Sequence, residues 1–138
     1  MKNNPAFVLD SYAVLAHYQN EPGGPRVKAV LSRAEKGLAD VYLSIINFGE
    51  ALYILEREEG LTTAQDLVAT VDQLPITVVE ANRKLTFVAA HLKAHHPISY
   101  ADAFALALAQ EKQAALLTGD PEFRKVESLA TIEWLPQA

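Results

Sequence analysis

The sequence predicts an α/β fold, namely a three-layer α/β/α sandwich with a central parallel sheet of about five strands. Three observations support this prediction. Short apolar runs alternate with longer stretches that carry apolar residues at helical spacing. Most of the short runs are almost uniformly apolar, which is typical of strands that helices cover on both faces. The length of 138 residues fits one domain, which we assign to residues 1–138.

The elements follow in order along the chain. Apolar runs predict the strands Phe7–Leu9, Val41–Ser44, Ile76–Val79, Ala115–Thr118 and Thr131–Leu135. Helical spacing predicts the helices Ser11–Gln19, Arg26–Lys36, Asn47–Glu59, Thr62–Leu74, Asn82–His95, Ser99–Gln113 and a short Pro121–Val126. Glu21–Pro25 is predicted to be a loop, and Gly37 is placed to end the second helix.

The composition argues against several classes of protein. Hydrophobic residues make up 50% of the chain, which argues against disorder. The absence of cysteine excludes disulfides and thiolate metal sites, and it suits the cytoplasm, where we expect the protein to be. We expect neither a signal peptide nor a membrane span, because the apolar runs are too short. The net charge of −5 argues against a broad nucleic-acid-binding surface.

Four acidic residues are candidates for a functional site: Asp10, Glu50, Asp102 and Asp120. Each also has an ordinary interpretation. Asp10 and Asp120 are placed to cap helices, and a proline follows Asp120. Glu50 fits the polar stripe of a helix. Asp102 fits a capping arrangement with Ser99, three residues before it.

The shared position of the four acids favours a chemical role. All four lie at predicted strand ends or in the first turns of the helices that follow. In a parallel sheet these positions converge on one rim, where α/β proteins bind their ligands. Carboxylates brought together repel one another unless cations hold them, and Mg²⁺ and Mn²⁺ prefer oxygen ligands. Two such ions about 4 Å apart can activate water and stabilise the leaving oxygen of a phosphodiester.

Four segments together resemble those of PIN domains and, within that fold, those of VapC-type toxins. The segments are Leu9–Ser11, Asn47–Glu50, Tyr100–Ala103 and Leu117–Phe123, and the likeness extends from Phe7 to Leu135. The resemblance implies Mg²⁺- or Mn²⁺-dependent cleavage of RNA by the acidic set Asp10, Glu50, Asp102 and Asp120. It also implies that Ser11 and Thr118 orient waters or carboxylates, and that Glu122 adds an outer ligand.

The same resemblance implies an RNA substrate, a VapB-like antitoxin partner and a homodimer. An apolar groove for the antitoxin is predicted from Tyr12, Leu15, Tyr18, Leu52, Tyr53 and Leu55, and ordinary core and surface is the alternative. The candidate cations for RNA are Arg57, Arg124 and Lys125, with Arg83, Lys84, Lys93 and Lys112 as further options. For each of them a solvated helix face is the alternative.

Other interpretations compete with this one. An aspartyl phosphatase usually has a second acid two residues after the first, where this chain has Tyr12. A receiver-like domain needs a lysine near its last strands, and only Arg124 and Lys125, inside a predicted helix, follow Thr118. His91 and His95 have the spacing of a zinc pair but lack the His-Glu-x-x-His pattern. A free-standing RNA-processing PIN nuclease and a non-catalytic PIN-like scaffold are further alternatives.

Overall fold

The computed structural model describes residues 3–137. Within them the elements are β1 (Ala6–Leu9), α1 (Ser11–Tyr18), α2 (Gly24–Glu35), β2 (Asp40–Ser44), α3 (Ile45–Glu59), α4 (Leu61–Gln73), β3 (Thr77–Val79), α5 (Arg83–His95), α6 (Tyr100–Lys112), β4 (Ala115–Thr118) and β5 (Thr131–Trp134). A 3-10 helix, Pro121–Val126, connects β4 to β5. Every predicted element is present, and no boundary differs from the prediction by more than two residues.

The five strands form one parallel sheet in the order β3-β2-β1-β4-β5. The central strand β1 pairs with β2 and β4, so Leu9 lies opposite both Leu43 and Leu117. The chain places β2 and β3 on one side of β1 and then crosses to place β4 and β5 on the other. Such a reversal opens a crevice beyond the carboxyl ends of the strands. The predicted three-layer fold with about five parallel strands is confirmed.

Alternate residues of the strands face two separate hydrophobic cores, because successive side chains of a strand point to opposite faces. Phe7 and Leu9 of β1 face the core that α1, α2, α3 and α4 cover. Val8 faces the core that α5 and α6 cover. In α6 the residues from Asp102 to Ala109 are all buried, so Asp102 is a carboxylate in an apolar helix.

The second helix begins two residues earlier than predicted, at Gly24. Pro25 fits the first turn of a helix, because the first backbone N–H groups have no partner within the helix. The predicted loop Glu21–Pro25 is therefore shorter than expected. Gly37 follows the helix with a φ of +74°, which favours glycine, and so ends the helix as predicted. No helix among residues 3–137 has both the length and the apolar character needed to cross a membrane.

Candidate active site

Asp10 lies directly after β1 and is buried, with 2% of its surface exposed. One carboxylate oxygen, Oδ1, accepts a hydrogen bond from the backbone N–H of Ala13 at 2.9 Å and caps α1. The other, Oδ2, accepts from the hydroxyl of Thr118 at 2.5 Å, across from β1 to the end of β4. The capping interpretation is therefore correct, and it accounts for only one of the two oxygens.

Asp102 lies in the first turn of α6 and is 7% exposed. Ser99 caps this helix, because its hydroxyl accepts from the backbone N–H of Asp102 at 3.1 Å. The capping hydrogen bond thus uses the backbone N–H of Asp102 and not its carboxylate. Its carboxylate lines the cleft described below.

Burial raises the pKa of both buried carboxyls, because the ionised form loses its hydration. The pKa of Asp10 rises from 3.8 to about 7, mainly through burial, against the opposing effect of the Thr118 hydrogen bond. The pKa of Asp102 also rises to about 7, through burial first and then through the negative charges of Asp120 and Glu50. The four acids are therefore close enough for the charges of some to affect the ionisation of Asp10 and Asp102.

Glu50 and Asp120 are only partly buried. Glu50 accepts a hydrogen bond from the hydroxyl of Ser11 at 2.6 Å, which joins α3 to α1. Asp120 caps the 3-10 helix by accepting from the backbone N–H of Glu122 at 2.9 Å, so its capping interpretation is also correct.

Thr118 connects two of the acids. Its hydroxyl donates to Asp10 and accepts from the backbone N–H of Asp120 at 3.0 Å. The position of Glu122 is different, because it is exposed and its carboxylate pairs with Nζ of Lys125 at 2.7 Å. Glu122 therefore lies at the outer edge of the acidic group, beside a cation that offsets its charge.

Three of the four candidate acids, Glu50, Asp102 and Asp120, line a cleft of about 400 Å³ beyond the carboxyl ends of the strands. Its lining residues are Ser11, Tyr12, Leu15, Glu50, Ile54, Ser99, Asp102, Asp120 and Glu122. Asp10 is not among them, because it lies behind the surface of the cleft. None of these lining residues is basic, so the cleft is acidic and partly apolar.

The donors of the cleft fit a hard divalent cation by type and charge. They are carboxylate and hydroxyl oxygens, which Mg²⁺ and Mn²⁺ prefer. A cation would also favour the ionised forms of Asp10 and Asp102 that burial disfavours. However, among residues 3–137 no three Asp, Glu, Cys or His side chains form a group that could hold one metal ion. Asp10, Glu50 and Asp120 instead bind hydrogen-bond donors of the protein. The case for a divalent cation therefore rests on the oxygen donors and negative charge of these residues, and not on a ligand geometry that is already formed.

Asn47 is a residue whose role the sequence interpretation missed. It is fully buried in α3, and its Nδ2 donates to the backbone carbonyl of Ala101 at 3.0 Å. The contact joins the helix that carries Glu50 to the helix that carries Asp102. Among residues 3–137 its Oδ1 is the buried side-chain polar atom without a hydrogen-bond partner. A polar residue in the apolar stretch just before Glu50 was the available signal.

The three first candidate cations for RNA, Arg57, Arg124 and Lys125, contact neighbouring side chains. Arg124 lies 4.4 Å from the ring centre of Trp134 and 3.7 Å from the carboxylate of Glu127. Arg57 lies over the ring of Tyr53 at 5.6 Å. The predicted apolar groove is wrong at Leu55, which is fully buried in the core.

The fold and the cleft define a small α/β/α domain with an acidic site at the carboxyl ends of its parallel strands. The chain belongs to the PIN domain family, whose model matches residues 7–129. None of the curated proteins compared with the chain matches it.

Solved structures of VapBC proteins are similar in fold. VapBC2 from Rickettsia felis, bound to a DNA fragment from its promoter, has a TM-score of 0.73 at 15% identity, over 95% of this chain and 99% of that chain. VapC20 from Mycobacterium tuberculosis, a sarcin-ricin loop cleaving toxin, has a TM-score of 0.72 at 19% identity, over 94% and 99%. DNA-bound VapBC from Salmonella typhimurium has a TM-score of 0.71 at 18% identity, over 94% and 97%. At these identities the likeness establishes the fold.

Proposed function

We propose that the protein is a metal-dependent endoribonuclease that acts as a toxin and is inhibited by a cognate VapB-like antitoxin. The observation that carries the proposal is the burial of Asp10 and Asp102 beside Asp120 and Glu50, in a PIN domain. Buried carboxylates without a cationic partner are unfavourable for folding, and bound cations would offset that effect.

In this proposal Asp10, Glu50, Asp102 and Asp120 hold Mg²⁺ or Mn²⁺. When bound, the cation supplies the positive charge that activates water for attack on phosphorus and that offsets the charge developing on the phosphate oxygens. Ser11 and Thr118 orient the carboxylates of Glu50 and Asp10, with which they already form hydrogen bonds. In this proposal Glu122 adds an outer ligand from the edge of the cleft.

The buried acids also make the rate of cleavage depend on pH. A proton competes with a cation for Asp10 and Asp102, because burial raises the pKa of each to about 7. Cleavage is therefore expected to increase as the pH rises toward about 7 and above. No side chain of the chain needs to act as a nucleophile.

The proposed partners are an RNA substrate, an antitoxin and a second copy of the chain in a homodimer, and the proposed location is the cytoplasm. The similarity to VapC20 and to VapBC complexes supports the toxin role, because those chains match this one over nearly their whole length. A gene for a short DNA-binding protein beside this one would support the antitoxin. Its absence would favour a free-standing RNA-processing nuclease.

The proposal is tested by incubating the purified, antitoxin-free protein with several RNAs and Mg²⁺ or Mn²⁺. Wild type is expected to cut, and EDTA is expected to stop it. Asp102→Asn is expected to lower the rate roughly a hundredfold or more, because it removes a ligand charge. Asp72→Asn is the matched control, because Asp72 is exposed on α4, away from the cleft.

Two results would contradict the proposal. In one, wild type and Asp102→Asn cut alike. In the other, the folded wild type cuts none of the RNAs with either metal, and the non-catalytic scaffold becomes the better account.

A further inference from the structure

The cleft combines acidic and apolar surface. Its apolar patch consists of Tyr12, Leu15 and Ile54. The patch adjoins the acids on two helices. On α1, Tyr12 follows Ser11, whose hydroxyl contacts Glu50. On α3, Ile54 follows Glu50 by about one helical turn, a rise of about 5.4 Å.

Tyr12 is held in a fixed position in this patch. Its Oη donates to the backbone carbonyl of Pro136 at 3.0 Å. Its ring lies against Gly119, where a Cβ atom would overlap the ring, so the absent side chain leaves room for it. A ring fixed in this way loses little freedom when it binds a ligand, which favours binding.

The charges around the cleft bear on how a nucleotide would be bound. No Lys, Arg or His lines the cleft among residues 3–137. Lys125 pairs with Glu122, and Arg124 stacks on Trp134. Side-chain cations therefore do not hold a phosphate inside the cleft. Besides bound cations and the hydroxyls of Ser11 and Ser99, the apolar patch is the source of affinity that the lining offers a nucleotide.

We infer that the apolar patch binds the nucleobase of the RNA nucleotide whose phosphate lies at the acids, with Tyr12 as the ring on which the base stacks. The inference rests on the proposed nuclease function and describes a further part of its substrate site. Because every base has an aromatic face, the contact is tolerant of sequence. Single-stranded RNA suits such a site, because its bases are free to stack.

The test compares two small probes, AMP and ribose 5-phosphate, which differ by the base. Each is titrated into the wild-type protein in Mg²⁺ and followed by NMR chemical shifts. AMP is expected to bind roughly tenfold more tightly or better, as base stacking on an aromatic ring provides. Replacing Mg²⁺ by EDTA is expected to weaken both.

Variants show whether the preference for AMP depends on the ring of Tyr12. Tyr12→Ala is expected to reduce the affinity for AMP to that for ribose 5-phosphate and to leave the latter unchanged. Tyr12→Phe keeps the ring and is expected to keep the preference. Tyr53→Ala is the matched control, because Tyr53 is 56% exposed on α3 and does not line the cleft. If circular dichroism shows Tyr12→Ala to be unfolded, Ile54→Ala replaces it, with a smaller loss of preference expected.

The outcomes distinguish this inference from the proposed function. Equal, Mg²⁺-dependent binding of AMP and ribose 5-phosphate overturns the base site and supports the metal site. In that case a side chain of a protein partner is the better candidate for the ligand of the apolar patch. A preference for AMP that persists in the folded alanine variant also overturns the inference. If neither probe binds in Mg²⁺, the base site is overturned, and the RNA cleavage assay decides separately whether the proposed nuclease function fails.

Discussion

The four candidate acids form two pairs that differ in their burial. The inner pair, Asp10 and Asp102, is buried, and its ionised forms are disfavoured there. The outer pair, Glu50 and Asp120, keeps contact with solvent and accepts hydrogen bonds from Ser11 and Glu122. Folding therefore opposes the charge of the inner pair more strongly than that of the outer pair. The inner pair gains more from a bound cation, so we expect it to couple cation binding to stability.

Asp10→Asn gives the largest expected effect on stability. With the pKa raised from 3.8 to about 7, the folded protein binds a proton that the unfolded chain has lost. In EDTA the stabilisation from this proton is fully present below the pKa of Asp10 in the unfolded chain, about 3.8. It is lost as the pH rises to about 7, by up to about 4 kcal/mol for a difference of about 3 in pKa. Asn does not titrate, so this part of the pH dependence disappears.

The measurement is thermal unfolding from about pH 4 to about pH 8 in EDTA. Asp10→Asn is expected to unfold at a higher temperature than wild type at about pH 8 and to show a flatter pH dependence. Asp72→Asn, exposed on α4 and away from the cleft, is the control and is expected to keep the slope of the wild type. Equal slopes for wild type and Asp10→Asn would break the distinction between the two pairs.

Thr118→Val is expected to have the next largest effect. Valine keeps the shape of threonine but removes the donor to Asp10 and the acceptor for the N–H of Asp120. Hydrogen bonds to charged groups contribute about 1.5–3 kcal/mol, so we expect a loss of about 2 kcal/mol in urea unfolding. The affinity for Mn²⁺ should fall roughly tenfold or more. Thr118→Ser keeps the hydroxyl and should restore both properties, and a serine variant as weak as the valine variant would contradict this role.

Asn47→Leu tests the hydrogen bond that joins the helix carrying Glu50 to the helix carrying Asp102. It removes the hydrogen bond to Ala101 together with the unpaired Oδ1. These two changes offset each other, so the free energy of unfolding should change by less than about 1 kcal/mol. The affinity for Mn²⁺, measured by calorimetry, is expected to fall because the two helices are no longer joined. Unchanged affinity would show that Asn47 serves packing alone.

Ser11→Ala is expected to have the smallest effect. Its hydroxyl bonds to Glu50 at the partly exposed edge of the site, where water can replace the lost donor. Urea unfolding should show a loss of less than about 0.5–1 kcal/mol. A loss as large as that of Thr118→Val would remove the distinction between inner and outer acids.

The sequence predicted the elements and the positions of the four acids, because both depend on local pattern. Asp10 and Asp120 follow apolar strands, and the caps at Ser99 and Asp120 can be read from neighbouring residues. The order of the strands and the switch point beside β1 were not predicted, because pairing depends on contacts distant in sequence.

The same limit applies to the contacts that shape the cleft. Thr118 and Asp10 are 108 residues apart, Asn47 and Ala101 are 54 apart, and Tyr12 and Pro136 are 124 apart. Nothing local in the sequence relates these residues to one another. The resemblance to PIN domains indicated Thr118, whereas Asn47 and the fixed position of Tyr12 required the structure.

The central claim is that the buried acids hold a divalent cation, and calorimetric titration of the metal-free protein with Mn²⁺ tests it most directly. The titration compares wild type with Asp10→Asn, Asp102→Asn and the control Asp72→Asn at about pH 8. We predict that wild type and Asp72→Asn bind Mn²⁺ alike and that the other two variants bind roughly tenfold more weakly or not at all. Binding that is equal in all four proteins, or absent from folded wild type, would contradict the account.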